Sequence, residues 1–118
     1  MDIASFRTYC LQKKGVTEEF PFDNETLAFK VMGKIFALTH IDTFESINLK
    51  CDPNRALELR EQFEEVIPGY HMNKKHWNTV MLNGRLGDQF LVELIDHSYG
   101  CVVATLPLKS RKKLALSS

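Results

Sequence analysis

The sequence lacks the features that stabilise small secreted proteins or hold structural metals. Its 118 residues include three cysteines, an odd number, and these form no Cys-x-x-Cys pair. This usage is typical of reduced thiols, so it argues against a disulfide framework or a zinc knuckle and favours a cytoplasmic protein. No basic segment followed by an apolar one opens the chain, so we expect no secretory signal. No apolar run approaches the roughly 18 residues of a membrane span, and no membrane partner is predicted.

Motifs of common enzyme classes are also missing. The sequence contains no glycine-rich phosphate loop, no G-x-S-x-G nucleophile elbow and no H-E-x-x-H metal motif. A zinc or iron site needs three or four ligands, and the histidines do not show paired metal-ligand spacing. The four histidines are His40, His71, His76 and His97. Cys51 precedes a predicted helix start, but strand alternation places it among buried residues. We therefore predict a non-enzymatic protein without a metal or another cofactor.

Charge is balanced over the whole chain but unevenly distributed. Lys+Arg and Asp+Glu each number 15, so the formal net charge is zero. Residues 1–65 hold 8 basic and 12 acidic side chains, whereas residues 66–118 hold 7 basic and 3 acidic ones. A neutral chain gives little overall attraction to polyanions, although a local basic face can still bind phosphates. Four of the basic side chains lie in residues 109–118, a stretch that we predict to be a disordered tail.

The hydrophobic pattern predicts one α+β domain over residues 1–108. Asp2 is a candidate N-cap for a first helix, whose apolar residues repeat at three- and four-residue spacing. Four segments of alternating apolar residues follow over 16–51, and their short connections indicate an antiparallel meander. A second helix begins after Asp52, and a strand and a last helix complete the domain. The predicted order is α-β-β-β-β-α-β-α, with helices on one face of an antiparallel sheet.

Several segments of the chain resemble the MmcQ/YjbR family. They follow the family's order over roughly residues 1–108, at 20–22, 29–37, 47–51, 67–80 and 94–99. The most specific is the polar-aromatic run from Asn73 to Asn78. The resemblance implies a CyaY-like α+β fold, in agreement with the predicted element order. It also implies a DNA-binding role with a double-wing arrangement, so DNA is the partner that the resemblance indicates.

Two groups of lysines are candidates for contacts to DNA phosphates. Lys74 and Lys75 stand beside polar and aromatic side chains, as on surfaces that hold a nucleic-acid backbone. If Lys30, Lys34 and Lys50 share the open face of the sheet, they form a second basic patch. The alternative for each lysine is a solvated surface role, since lysines on strands also discourage pairing between sheet edges. The full predicted DNA-binding set is Lys30, Lys34, Lys50, Lys74, Lys75, Asn48, Asn73 and His76.

A second hypothesis is a protein- or small-molecule-binding adaptor with a polar pocket. The residues predicted to line this pocket are Asn48, His71, Asn73 and His76. A concave site built from them, without a continuous positive surface around it, would favour this hypothesis over DNA binding. For Trp77, we expect packing in the core rather than stacking on a ligand. The sequence identifies no protein partner.

Overall fold

Six strands and four helices make up the computed structural model, which describes residues 1–70 and 72–117. The strands are β1 (Val16–Glu19), β2 (Thr26–Val31), β3 (Lys34–His40), β4 (Ser46–Lys50), β5 (Val66–Pro68) and β6 (Trp77–Met81). The helices are α1 (Ile3–Leu11), α2 (Pro53–Gln62), α3 (Asp88–Thr105) and α4 (Leu108–Leu116). All strands join one antiparallel sheet in the order β1-β2-β3-β4-β6-β5. Within the described residues, no helix has the length and apolar character needed to cross a membrane.

This architecture confirms the predicted α+β class with an antiparallel sheet. Two elements are additional to the predicted order: the three-residue strand β5 pairs with β6 at a sheet edge, and α4 follows α3. The prediction of a disordered tail over 109–118 is therefore wrong for residues up to 116, and Ser118 lies outside the described residues. The tail is ordered because Leu114 is only 6 % exposed, packs against Gly15 and belongs to the hydrophobic core.

Capping residues determine where the first two helices begin. The carboxylate of Asp2 accepts the N–H of Ser5 at 2.7 Å, so it caps α1. The carboxylate of Asp52 accepts the N–H of Arg55 at 3.2 Å, and Pro53 takes the first helical position of α2. Both helix starts are those predicted from the sequence.

Alternation along the strands divides the sheet into a covered face and an open face. Helices pack on the covered face, where the ring of Phe6 in α1 meets Phe29 of β2 edge-on at 5.4 Å. The strand and helix residues of this core include Phe6, Leu27, Phe29, Val31, Phe36, Ile47, Leu49, Val80, Leu91, Leu94, Ile95 and Val102. On the other face, Leu38 of β3 opposes Asn48 of β4, and Asn48 opposes Thr79 of β6. This row forms the middle of the open face.

Ser98 joins α3 to the centre of the sheet through two hydrogen bonds. Its hydroxyl donates to the carbonyl oxygen of Phe36 at 2.5 Å and accepts the N–H of Lys50 at 2.8 Å. The β3–β4 pairing ends at Ala37 and Leu49. The carbonyl of Phe36 and the N–H of Lys50 therefore lie just beyond the last direct pair. The serine hydroxyl therefore stands between the strands at this point and supplies the partner that each backbone group needs away from water.

Replacing Ser98 by alanine should lower the free energy of unfolding by about 2–4 kcal/mol, because two backbone groups lose their partner inside the protein. Urea unfolding followed by far-ultraviolet circular dichroism measures this change. The control is Thr8→Ala, which removes a hydroxyl from an exposed position of α1 and for which we expect a change within about 0.5 kcal/mol. A Ser98→Ala protein as stable as the parent would contradict the bridging role of the hydroxyl.

Candidate functional site

The open face of the sheet forms the floor of a concavity of about 620 Å³. Two loops border it: residues 20–25 join β1 to β2, and residues 69–76 join β5 to β6. The strands and these loops provide all of the described lining, and no described helix contributes to it. The lining residues are Phe22, Asp23, Thr26, Leu38, Thr39, His40, Ser46, Asn48, Ile67, Tyr70, Met72, Thr79 and Met81.

A short chain of hydrogen bonds orients the polar groups on the floor of the concavity. The hydroxyl of Thr79 accepts the backbone N–H of Tyr70 at 3.0 Å and donates to Oδ1 of Asn48. Because the oxygen of the Asn48 amide is engaged in this way, its Nδ2 group is the part that remains for a ligand. Among the described residues, no hydrogen bond to Asn48 Nδ2 is formed. The floor therefore offers a hydrogen-bond donor at its centre.

Arg60 of α2 holds the second loop from the covered side of the sheet. Its Nε donates to Oδ1 of Asn78 at 2.7 Å, and its Nη2 donates to the carbonyl oxygens of Lys74 and Trp77. Gly69 permits a close approach here, since a Cβ at this position would lie 2.7 Å from the Cβ of Trp77. Trp77 is buried, as the sequence predicts. These contacts determine the position of the loop relative to the floor of the concavity.

The structure does not gather the three predicted strand lysines on one surface. Lys30 forms an ion pair with Glu19 of the neighbouring strand. Lys34 is exposed beside the β2–β3 turn and pairs with Val31, whose side chain belongs to the covered face. Lys50 follows Asn48 by two residues in β4 and therefore shares its face of the sheet. None of the three lysines lines the concavity.

The predicted residues Asn73, Lys74, Lys75 and His76 form a tight turn before β6. The carbonyl oxygen of Asn73 accepts the N–H of His76 at 3.2 Å, and its side-chain oxygen accepts the N–H of Lys75 at 2.9 Å. The Asn73 side chain thus closes the turn, and the structure gives it this local role instead of a place in the pocket. The side chains of Lys74 and Lys75 lie at the surface.

One of the four residues predicted to line a polar pocket belongs to the described lining of the concavity. Asn48 lines the concavity, whereas Asn73 and His76 belong to the turn and are not among its lining residues. His71 lies outside the described residues. The concavity is therefore centred on Asn48 and Thr79, between the sheet and two loops, and its lining is more apolar than the sequence suggested.

Sequence reasoning missed the aromatic and acidic groups at the rim. Phe22 and Tyr70 are each 68 % exposed although their rings are large and apolar. Asp23 lies beside Phe22, and hydrogen bonds from the backbone N–H groups of Thr26 and Glu25 hold the pKa of its carboxyl below the usual value. The available signal is an aromatic residue, Phe22, in the segment between β1 and β2. Because the alternating apolar pattern there predicts a strand, the pattern does not indicate an exposed ring.

The three thiols lie away from the concavity and are protonated at neutral pH. Burial raises the pKa of Cys10 to about 12 and that of Cys51 to about 11. The sulfur of Cys101 lies 3.4 Å from Nε2 of His97, and burial raises the pKa of this thiol while it lowers that of the imidazole. The pair is therefore neutral. Among the described residues, no group of three or more His, Cys, Asp or Glu side chains could hold a metal ion.

Comparison with known proteins agrees with this architecture. The model of the YjbR family matches residues 11–101. The chain is 36 % identical over 115 residues to the uncharacterised protein YjbR of Escherichia coli K12, covering 97 % of this chain and 98 % of YjbR. It is 38 % identical over 96 residues to the uncharacterised protein YbdF of Escherichia coli O157:H7, covering 80 % and 79 % of the two chains.

A solved structure shows the same arrangement. The crystal structure of DR2400 from Deinococcus radiodurans, described as a DUF419 domain, superimposes with a TM-score of 0.90 at 39 % identity, over 98 % of this chain and 88 % of that one. The matched segment 11–101 contains all six strands, both loops and the whole lining of the concavity. With the family model, the relatives and this structure in agreement, the chain belongs to the YjbR family.

Proposed function

We propose that this protein binds a small organic molecule in the concavity on the open face of the sheet and does not catalyse a reaction on it. The concavity itself carries the proposal: its volume of about 620 Å³ lies in the range of small-molecule sites. Its lining is mostly apolar, with a few polar groups at the centre, which is the composition that such sites share. Leu38, Ile67 and Met81 would contact an apolar part of the ligand, and Asn48 Nδ2 would donate to an acceptor on it.

The charges in the lining favour a neutral ligand over one rich in phosphates. Asp23 contributes a carboxylate, and among the described residues no lysine or arginine lines the concavity. The pKa of Asp23 is held low by backbone hydrogen bonds, so this carboxylate stays ionised at neutral pH. A phosphate group inside the concavity would therefore meet a negative charge without a lysine or arginine to balance it.

The proposal of binding without catalysis rests on the histidine at the rim. A histidine acts as a general base through a ring nitrogen whose lone pair faces the substrate. Nε2 of His40 lies 3.0 Å from Oε2 of Glu25, and its Nδ1 accepts the N–H of Thr43 at 3.4 Å. Both nitrogens of His40 are thus engaged with the protein, which leaves neither of them for a ligand in the concavity.

Filling the concavity should weaken binding of an apolar probe. The variant Ser46→Trp places an indole ring in the lining, at a strand position that favours aromatic residues. We expect the affinity for the neutral dye Nile red to fall at least about tenfold, because the ring occupies the volume that a ligand needs. A fluorescence titration of the parent and the variant measures this change.

The matched control is Thr17→Trp, which exchanges another hydroxyl residue for tryptophan on an exposed strand position outside the concavity. It should bind Nile red as the parent does. A retained unfolding transition shows that each variant is folded. If Ser46→Trp bound the dye as tightly as Thr17→Trp does, the concavity would not be the binding site.

DNA binding is the second candidate, and the charges at one end of the open face favour it. Lys50 pairs with Trp77, so it lies next to the turn that carries Lys74 and Lys75. This end of the sheet is opposite the one where Asp23 lies. A nucleic-acid backbone that crosses the sheet here could contact three lysines without approaching that carboxylate. On this proposal DNA binds along the edge of the concavity and not inside it.

If DNA binds at this end, replacing both Lys74 and Lys75 by alanine should weaken binding to all sequences alike. Each lost phosphate contact lowers the steepness of the salt dependence by about one unit, so we expect a reduction of about two. Fluorescence anisotropy with labelled duplex and single-stranded DNA, at several salt concentrations, measures both quantities.

The matched control for this DNA experiment is Lys109→Ala with Lys113→Ala, which removes the same charge from α4 and leaves Leu114 in the core. The control should bind DNA as the parent does. Binding that survives in the Lys74 and Lys75 variant, or that falls only in the control, would exclude this footprint.

A further inference from the structure

Helix α4 presents a basic surface in a fixed orientation. Leu114 packs against Gly15, where an added Cβ would lie 2.5 Å from Cδ1 of the leucine, and Met32 lies against the same glycine. Ser110, one turn earlier, is partly buried on the same side. The opposite side of the helix therefore faces solvent, and Leu108, Lys112 and Leu116 follow one another along it at four-residue spacing. Leu108 is 58 % exposed and Leu116 is 88 % exposed.

Further basic side chains surround this stripe. Lys109, Arg111 and Lys113 are exposed on α4, and the helix contains no acidic residue. Because Leu114 and Met32 both lie against Gly15, the exposed Lys14 and Lys34, which are close to them in the chain, border α4. We call the surface formed by α4, Lys14 and Lys34 the α4 surface.

Acidic side chains near the α4 surface are engaged elsewhere. Glu18 forms an ion pair with Arg7, and Asp96 forms one with Lys13. The α4 surface therefore carries an excess of positive charge, although the chain as a whole is neutral. Such a surface attracts a partner of high negative charge density.

We propose that the α4 surface binds the anionic surface of a lipid bilayer. The two exposed leucines favour this partner over a nucleic acid. A phosphate backbone offers oxygens to the lysines but no apolar volume for Leu108 and Leu116, whereas the boundary between headgroups and acyl chains accepts both kinds of side chain. This is attachment at the membrane surface, and it departs from the sequence-based prediction of no membrane partner, which considered only spanning segments.

The proposed attachment is independent of the concavity. No residue of α4 lines the concavity, and the helix packs near the β2–β3 turn instead. A protein held on a bilayer through α4 could thus bind a ligand on the open face at the same time. Failure of one proposal leaves the other intact, because each is tested with different variants.

Sedimentation with vesicles tests the proposal on the full chain. We expect binding to phosphatidylcholine vesicles that contain about a third phosphatidylserine, and no binding to phosphatidylcholine alone. Lys112→Glu changes the charge by two units and should weaken binding by about 25-fold, since each charge contributes about fivefold. The matched control Arg85→Glu makes the same charge change in the exposed loop between β6 and α3, and it should bind as the parent does.

Leu116→Gln separates a bilayer from a nucleic acid as the partner. It keeps every charge and removes one exposed apolar side chain, so vesicle binding should fall by about tenfold. Anisotropy with duplex DNA, run in parallel, should show no dependence on Lys112. The proposal is overturned if the parent binds both vesicle types alike or neither, or if Leu116→Gln binds vesicles as the parent does. It is likewise overturned if Lys112→Glu weakens DNA binding but not vesicle binding.

Discussion

The Ser98 hydroxyl, held between the Phe36 carbonyl and the Lys50 N–H, fixes α3 across the centre of the sheet on the face that strand alternation makes apolar. Both backbone groups lie where the central strands stop pairing directly, so α3 must lie across β3 and β4 to reach them. The apolar residues of α3 then meet those of α1 and the sheet in one core. Because α1 and α3 pack on this side, the row that includes Asn48 and Thr79 on the other face forms the floor of the concavity.

The concavity is preorganised because polar contacts within the protein hold each of its two loops. In the first loop, the carboxylate of Asp23 accepts two backbone N–H groups at the start of β2. In the second loop, Arg60 reaches from α2 to the backbone at Lys74 and Trp77. A ligand that contacts these held segments therefore loses less affinity to their immobilisation.

Local patterns sufficed for the fold class, whereas contacts between distant segments did not follow from them. The cap at Asp2 and the alternation that puts Asn48 on the open face depend only on neighbouring residues, and both agree with the structure. The pairing of Lys30 with a glutamate on β1 depends on strand register. The order of α4 depends on Leu114 meeting Gly15 across almost the whole chain. Such contacts leave no periodic signal, because a single side chain makes each of them.

The most direct test of the central claim, that the open face is the binding site, is a nuclear magnetic resonance screen of small organic fragments. Backbone amide shifts of the isotopically labelled protein would be recorded with and without each fragment. Neutral fragments should shift amides of Leu38, Asn48 and Thr79 and of the loop 20–25 together, with saturable dependence on concentration. Fragments that shift only amides of the covered face or of α4, or a library without any saturable shift, would contradict it.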